Sequence, residues 1–159
     1  MDPIKTIAKD KIDDLVAAAR SSERRRSNIN LHSSFEDPLQ RLVVAMCDDS
    51  YVVPHRHCHP PKSELFIVLV GSIGIVSFNE DGSTASLIRL GPNESRQICD
   101  IPPGIVHTVV SLTSDAVFLE AKIGPYTPMV DIDIPSWAPP PNSPESLAFV
   151  SKLRHLFSL

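Results

Sequence analysis

The chain divides by the period of its apolar positions. Near the N-terminus, Ile12, Leu15, Val16 and Ala19 recur at i, i+3, i+4 and i+7, the spacing of one helix face. Asp10 is the expected N-cap. The helix runs out into a polar, basic stretch, Ser21 to Ser27, which holds Arg24, Arg25 and Arg26 beside Glu23. Charge runs are usually solvated faces, so this stretch reads as an exposed connection rather than a phosphate-binding patch. From Asn28 the period falls to two: Asn28, Asn30 and His32 alternate with Ile29 and Leu31. Short strand-like runs then follow at 42–47, 50–54, 65–70, 73–78, 85–90, 96–101, 106–112 and 117–123. Turn residues separate them, among them Pro60-Pro61, Gly71, Gly91-Pro92-Asn93 and Pro102-Pro103-Gly104. Asp81-Gly82 is the clearest hairpin signal, because glycine accepts the positive φ such turns require.

After Gly124 the texture changes. Pro125, Pro128, Pro135, Pro139, Pro140, Pro141 and Pro144 dominate the next twenty or so positions. Proline cannot donate to a strand ladder, so this strip is expected as an extended surface arm, with Trp137 as its apolar anchor. Ser143 as N-cap and Pro144 at the first helical position open a C-terminal helix, with Leu147, Val150, Leu153 and Phe157 on its apolar face. The pattern predicts an all-β sandwich or barrel at 28–124. A helix and connection precede it at 1–27, and the arm and second helix follow at 125–159.

Length and composition fit a single domain. The chain has 159 residues, a net charge of −4, 42% hydrophobic and 21% charged residues. A domain of this size can hold a core without disulfides. No basic excess points to nucleic acid or an anionic membrane. No apolar run is long enough to span a bilayer, and no signal-peptide h-region is visible. Cys47, Cys58 and Cys99 form neither a CxxC nor an even framework, so reduced thiols and a cytoplasmic location are expected. Cys47 and Cys99 read as small buried hydrophobes, and Tyr51 and Tyr126 as packing residues.

The informative excess is histidine. Three of six fall in His55-Arg56-His57-Cys58-His59. In an extended segment alternate side chains share a side, so these three converge while Cys58 points away. Glu64 follows the Pro60-Pro61 turn, and His107 follows a proline turn further on. Imidazole nitrogens with one carboxylate oxygen suit a divalent first-row metal, and three or four such ligands leave coordination positions open. The ion expected is a single Zn, Fe, Mn or Ni.

These residues carry a family resemblance. His57-x-His59-x4-Glu64-x6-Gly71 is similar to the first cupin motif, and Pro102-x-Gly104-x2-His107 to the core of the second. Arg96 and Ser111 stand where the second motif usually has glycine and asparagine. Over roughly 26–139 the chain further resembles the WbuC-type cupin fold metalloproteins. The matching stretches include Asn28 to His32, Asp37 to Leu42, Ser50 to His57, Lys62-Ser63-Glu64, Ile101 to Thr108, Glu120 to Tyr126 and Trp137-Ala138-Pro139. The resemblance implies a cupin, that is, a jelly-roll or double-stranded β-helix with short terminal helices. The two patterns disagree on one ligand. WbuC-type spacing implies His55, His57, Glu64 and His107, whereas bare cupin spacing puts His59 with His57.

Around the ion, Glu120 and Lys122 alternate with Phe118. They are candidate catalytic groups if they face inward, and an outward ion pair otherwise. Asn30, His32, Arg41 and Lys62 are candidate substrate-binding residues, the two cations suiting a carboxylate or phosphate. Cupins support many chemistries on one scaffold. One expectation is an enzyme, of isomerase, epimerase or dioxygenase type, acting on a small sugar-like or oxygen-rich molecule. The WbuC-type resemblance implies a setting in surface-polysaccharide (O-antigen) metabolism. The other is a non-catalytic, metal-dependent sugar-binding or regulatory module. A homodimer is the expected assembly.

Overall fold

The computed structural model describes residues 4–158. Two antiparallel sheets stack face to face. The strands are β1 (Arg26–Asn30), β2 (Leu39–Cys47), β3 (Glu64–Val70), β4 (Ile73–Phe78), β5 (Thr84–Leu90), β6 (Ile98–Ile101), β7 (His107–Ser111) and β8 (Asp115–Ile123). One sheet runs β1-β2-β8-β3-β6 and the other β5-β4-β7. The architecture is therefore the jelly roll the sequence predicts, as two packed sheets rather than a closed barrel.

The apolar run of β2 is nearly continuous because both of its faces are covered. Val44 and Met46 point between the sheets, joining Phe66, Val68, Ile73, Leu90 and Phe118 in the central core. Val43, Ala45 and Cys47 point outward, under Leu15 and Ala19 of helix α1 (Lys9–Ser21). A third cluster lies outside the smaller sheet. Val76, Phe78 and Val110 meet Val150 and Leu153 of helix α2 (Pro144–Leu156). Ser143 caps α2 as predicted, its side chain accepting from the Ser146 amide with Pro144 at the first turn. Leu147, placed on the apolar face by periodicity, is instead 59% exposed.

Three further expectations are corrected. The N-cap of α1 is Ala8, and Asp10 sits in the first turn, where its charge favours the helix dipole. Segment 50–54 is extended but pairs with no strand, because its polar groups are used otherwise. Val52 carbonyl accepts from the Thr108 hydroxyl, Pro54 has no amide to give, and only His55 bridges to His107. The basic stretch is not simply solvated. Arg26 opens β1 and donates from its half-buried guanidinium to Tyr51 carbonyl at 2.6 Å, and burial lowers its pKa to about 10.

The proline strip does run over the surface, and it is stitched down along its length. Tyr126 amide donates to Phe35 carbonyl at 2.7 Å. Trp137 packs on Phe78 with centroids 5.0 Å apart and donates to Glu80 carbonyl. Among the described residues no helix is long and apolar enough to cross a membrane.

Candidate metal centre

Three histidines and one glutamate meet between the sheets. The His55↔His107 bridge, with amide-to-carbonyl bonds of 3.0 and 2.8 Å, sets His55 beside the first residue of β7. Glu64 opens β3, where its cross-strand partners are Ile101 and Lys122. His57 reaches the same point from the loop between. His55, His57 and Glu64 each bring a ligand atom to within 4.8 Å of the others. Ring centroids lie 4.8 Å apart for His55 and His57 and 4.7 Å for His55 and His107. His107 Nε2 is 2.9 Å from Glu64 Oε2.

The hydrogen bonds orient the rings. His55 Nδ1 faces Val53 carbonyl at 2.8 Å and His107 Nδ1 faces Ile105 carbonyl at 2.9 Å. A carbonyl can only accept, so each Nδ1 carries a proton and each ring turns its Nε2 toward the cluster. This is the outer bonding pattern that metal-bound histidines show. His57 Nε2 is buried 3.0 Å from Glu64 Oε1. Ring nitrogens and one carboxylate thus converge closely enough to hold a cation between them. The donor set of imidazole nitrogens and one carboxylate fits a divalent metal.

Electrostatics support the same reading. Burial drives the His55 pKa down to about 3, with His107 adding to the effect, so the ring is held neutral as a ligand must be. Burial alone would raise the Glu64 carboxyl, but His107, His57 and Lys122 outweigh it and hold it well below the usual range.

Glu120 and Lys122 face inward. Lys122 contacts Glu64 Oε1 and lies 3.2 Å from Glu120 Oε1. Burial lowers the Lys122 pKa less than Glu120 and Glu64 raise it, so the ammonium is firmly charged. Glu120 is pushed up by burial, against the pull of Lys122. Both line a cavity of about 640 Å³ beside the histidines, with Asn30, His32, His57, Lys62, Phe35 and Tyr126 among its other walls. A smaller inner cavity of about 290 Å³ reaches His55, Glu64 and His107.

The remaining candidates divide. His32 and Asn30 line the larger cavity, and His32 Nε2 is buried there without a partner. Lys62 also lines it, but its ammonium is already bound by Pro125 carbonyl and Thr127 Oγ1. Arg41 is corrected. Its neighbours Gln40 and Leu42 line the cavity, Arg41 does not, and its guanidinium pairs with Asp37 at 3.1 Å. His59 does not join the cluster either. Its side chain is 54% exposed, with Nδ1 2.8 Å from Asp133 Oδ1. Tyr126, expected as packing, is 53% exposed and lies tilted against the exposed Phe35 at the cavity wall, ring centroids 4.9 Å apart.

Asp133 is the residue that sequence reasoning missed. It lies in a 3₁₀ turn (Asp131–Asp133) of the proline strip and is 3% exposed. Burial favours its neutral form, but the His59 ring and the Cys58 and His59 amides prevail and lower its pKa. The only trace in the sequence is the alternation Val130-Asp131-Ile132-Asp133-Ile134.

The two stacked antiparallel sheets have the cupin fold, as comparison with solved structures shows. A cupin superfamily protein from Desulfitobacterium hafniense superposes with a TM-score of 0.50 at 16% identity, over 69% of this chain and 86% of that one. A Klebsiella pneumoniae protein described as having a double-stranded β-helix domain gives 0.53 at 15% identity, over 77% and 90%. A protein from Thermus thermophilus gives 0.53 at 17% identity, over 70% and 92%. The chain belongs to the DUF6016 family, a domain of unknown function whose model matches residues 7–90. No curated protein matches it by sequence.

Proposed function

We propose that this protein is a mononuclear metal-dependent cupin acting on a small oxygen-rich molecule. His55, His57, Glu64 and His107 would hold one divalent ion, of Zn, Fe, Mn or Ni type. The observation that carries the reading is the convergence of buried imidazole and carboxylate donors beside a cavity large enough for a substrate. The ion would supply Lewis acidity toward an oxygen of the bound molecule. The chain's own residues supply the rest. Asn30 and His32 offer hydrogen bonds from the cavity wall. Lys122 places a fixed positive charge there, and Glu120, 3.2 Å from that ammonium, would take or give a proton. The WbuC-type resemblance supports a sugar-like substrate in surface-polysaccharide metabolism. A cytoplasmic location and a homodimer belong to the same reading. The exposed cross-strand pair Leu39 and Ile123 supports the dimer, and light scattering tests it.

Elemental analysis of untagged protein, purified without added metal, is the decisive experiment. About one equivalent per chain is expected, lost in His57→Ala or His107→Ala. Metal-free wild-type protein, or full retention in both variants, overturns the assignment. A non-catalytic binding module is the second reading. It is favoured by the way Lys122 ties up both carboxylates, Glu64 and Glu120. A sugar that raises the melting temperature but is never consumed would select it.

A further inference from the structure

One residue from outside the loop carrying His57 makes four bonds to it. Arg56 amide donates to Asp133 carbonyl at 2.9 Å. The Asp133 carboxylate accepts from His59 amide at 3.2 Å and Cys58 amide at 3.4 Å, and pairs with the His59 ring at 2.8 Å. The backbone is thus fixed on both sides of His57. The same strip grips the far end of the loop, where the buried Lys62 donates to Pro125 carbonyl and to Thr127 Oγ1 at 3.0 Å. Two residues beyond Lys62 comes Glu64. A buried carboxylate surrounded by backbone amides is a rigid, strongly bonded unit. Nothing else in the described residues makes so many bonds to residues 56–59.

We propose that the strip 125–133 is a strap that completes the metal centre, with Asp133 as the positioning residue for His57. The proposal rests on the metal reading above. Asp133 touches neither ion nor substrate; it acts by fixing the loop from which His57 reaches the cluster. Ordering that loop in advance removes a cost that metal binding would otherwise meet. By linkage, the bound ion must tighten the strap as much as the strap tightens the ion.

The test is metal affinity, measured by competition between Zn²⁺ and a chromogenic chelator in the full chain. Asp133→Ala should weaken Zn²⁺ binding about 10–100-fold, the usual cost of losing a residue that orients a ligand. His59→Ala, which spares all three amide bonds, should change it less than about threefold. With Co²⁺ in place of Zn²⁺, the visible absorption band of the Asp133→Ala protein should shift, because His57 is no longer held in one orientation. Asp133→Asn keeps one amide acceptor and should fall between. In hydrogen exchange, Zn²⁺ should slow the Cys58 and His59 amides in wild type but not in Asp133→Ala. If Asp133→Ala does not fold, Asp133→Asn and the wild-type exchange data carry the test. Wild-type affinity in the Asp133 variants, or exchange at Cys58 and His59 indifferent to Zn²⁺, overturns the strap while leaving the metal reading intact. Wild-type protein that binds no Zn²⁺ overturns both.

Discussion

Glu64 and Lys122 face each other as direct partners across the β3–β8 ladder, and the ammonium contacts Glu64 Oε1. The lysine therefore stands where a cation is needed, on a carboxylate that is 3% exposed. Removing one member of a buried ion pair costs about 3–5 kcal/mol. Lys122 keeps 22% of its exposure, so water screens part of this, and Lys122→Met should cost nearer ~2 kcal/mol in chelator-treated protein. Urea denaturation gives the number. Saturating Zn²⁺ should shrink the loss, because the ion then neutralises Glu64 in place of the lysine. An equal loss with and without Zn²⁺ would mean that the ion does not bind at Glu64.

His55 and His59 separate cleanly by surroundings. His55 is 7% exposed and bridged to His107, whereas His59 looks outward on Asp133. His55→Ala should lower metal affinity by more than about tenfold, and His59→Ala should leave occupancy near wild type. Parallel metal analysis of the two variants decides between them, and the opposite order would restore the bare cupin spacing.

The cap of α2 offers a stability test away from the site. Ser143 Oγ accepts from the Ser146 amide at 3.1 Å, and α2 covers the smaller sheet through Val150 and Leu153. Ser143→Ala should cost about 1 kcal/mol. In a domain of this size that is a fall in melting temperature of roughly 2–4 °C. Metal affinity should not change, and a coupled loss would show that α2 communicates with the centre.

What the sequence disclosed follows the range of the interactions involved. Alternation in His55-Arg56-His57-Cys58-His59 is local, so the three candidate histidines could be read from spacing. Glu64 and His107 could be read from the turns that precede them. The choice between His55 and His59 could not be made from periodicity, because both alternate with His57. In space the His55–His107 bridge sets His55 in the cluster, and Asp133, which lies 75 residues beyond Cys58, holds His59 outside it. Arg41 is a candidate by its charge alone, but Gln40 and Leu42 take the cavity side, and a period of two then turns Arg41 away. Segment 50–54 has the composition of a strand, but Pro54 and the Thr108 hydroxyl divert its backbone from any ladder. The inward turn of Glu120 and Lys122 depended on which face of β8, that of Phe118, looks between the sheets. That is a property of sheet order and not of the strand itself.

Acid stability gives a last test, on an ion pair remote from the histidines. Arg20 of α1 donates from Nε to Asp115 Oδ1 at 2.9 Å, and its second nitrogen contacts Oδ2. Hydrogen bonding to Arg20 outweighs partial burial and lowers the Asp115 pKa below its ordinary value. A carboxyl with a depressed folded pKa contributes stability above its unfolded pKa, near 3.9, and loses it as pH falls through the folded value. Arg20→Gln should therefore be less stable than wild type at pH 6–7. The gap should begin to close below about pH 4 and vanish once Asp115 is protonated in both proteins. Added salt should also narrow the gap at neutral pH, because Arg20 is 59% exposed. Urea denaturation at pH 7, 5, 4 and 3 measures the trend. A gap that stays constant down to pH 3 would show that Arg20 stabilises the α1–β8 contact by packing alone, without its charge.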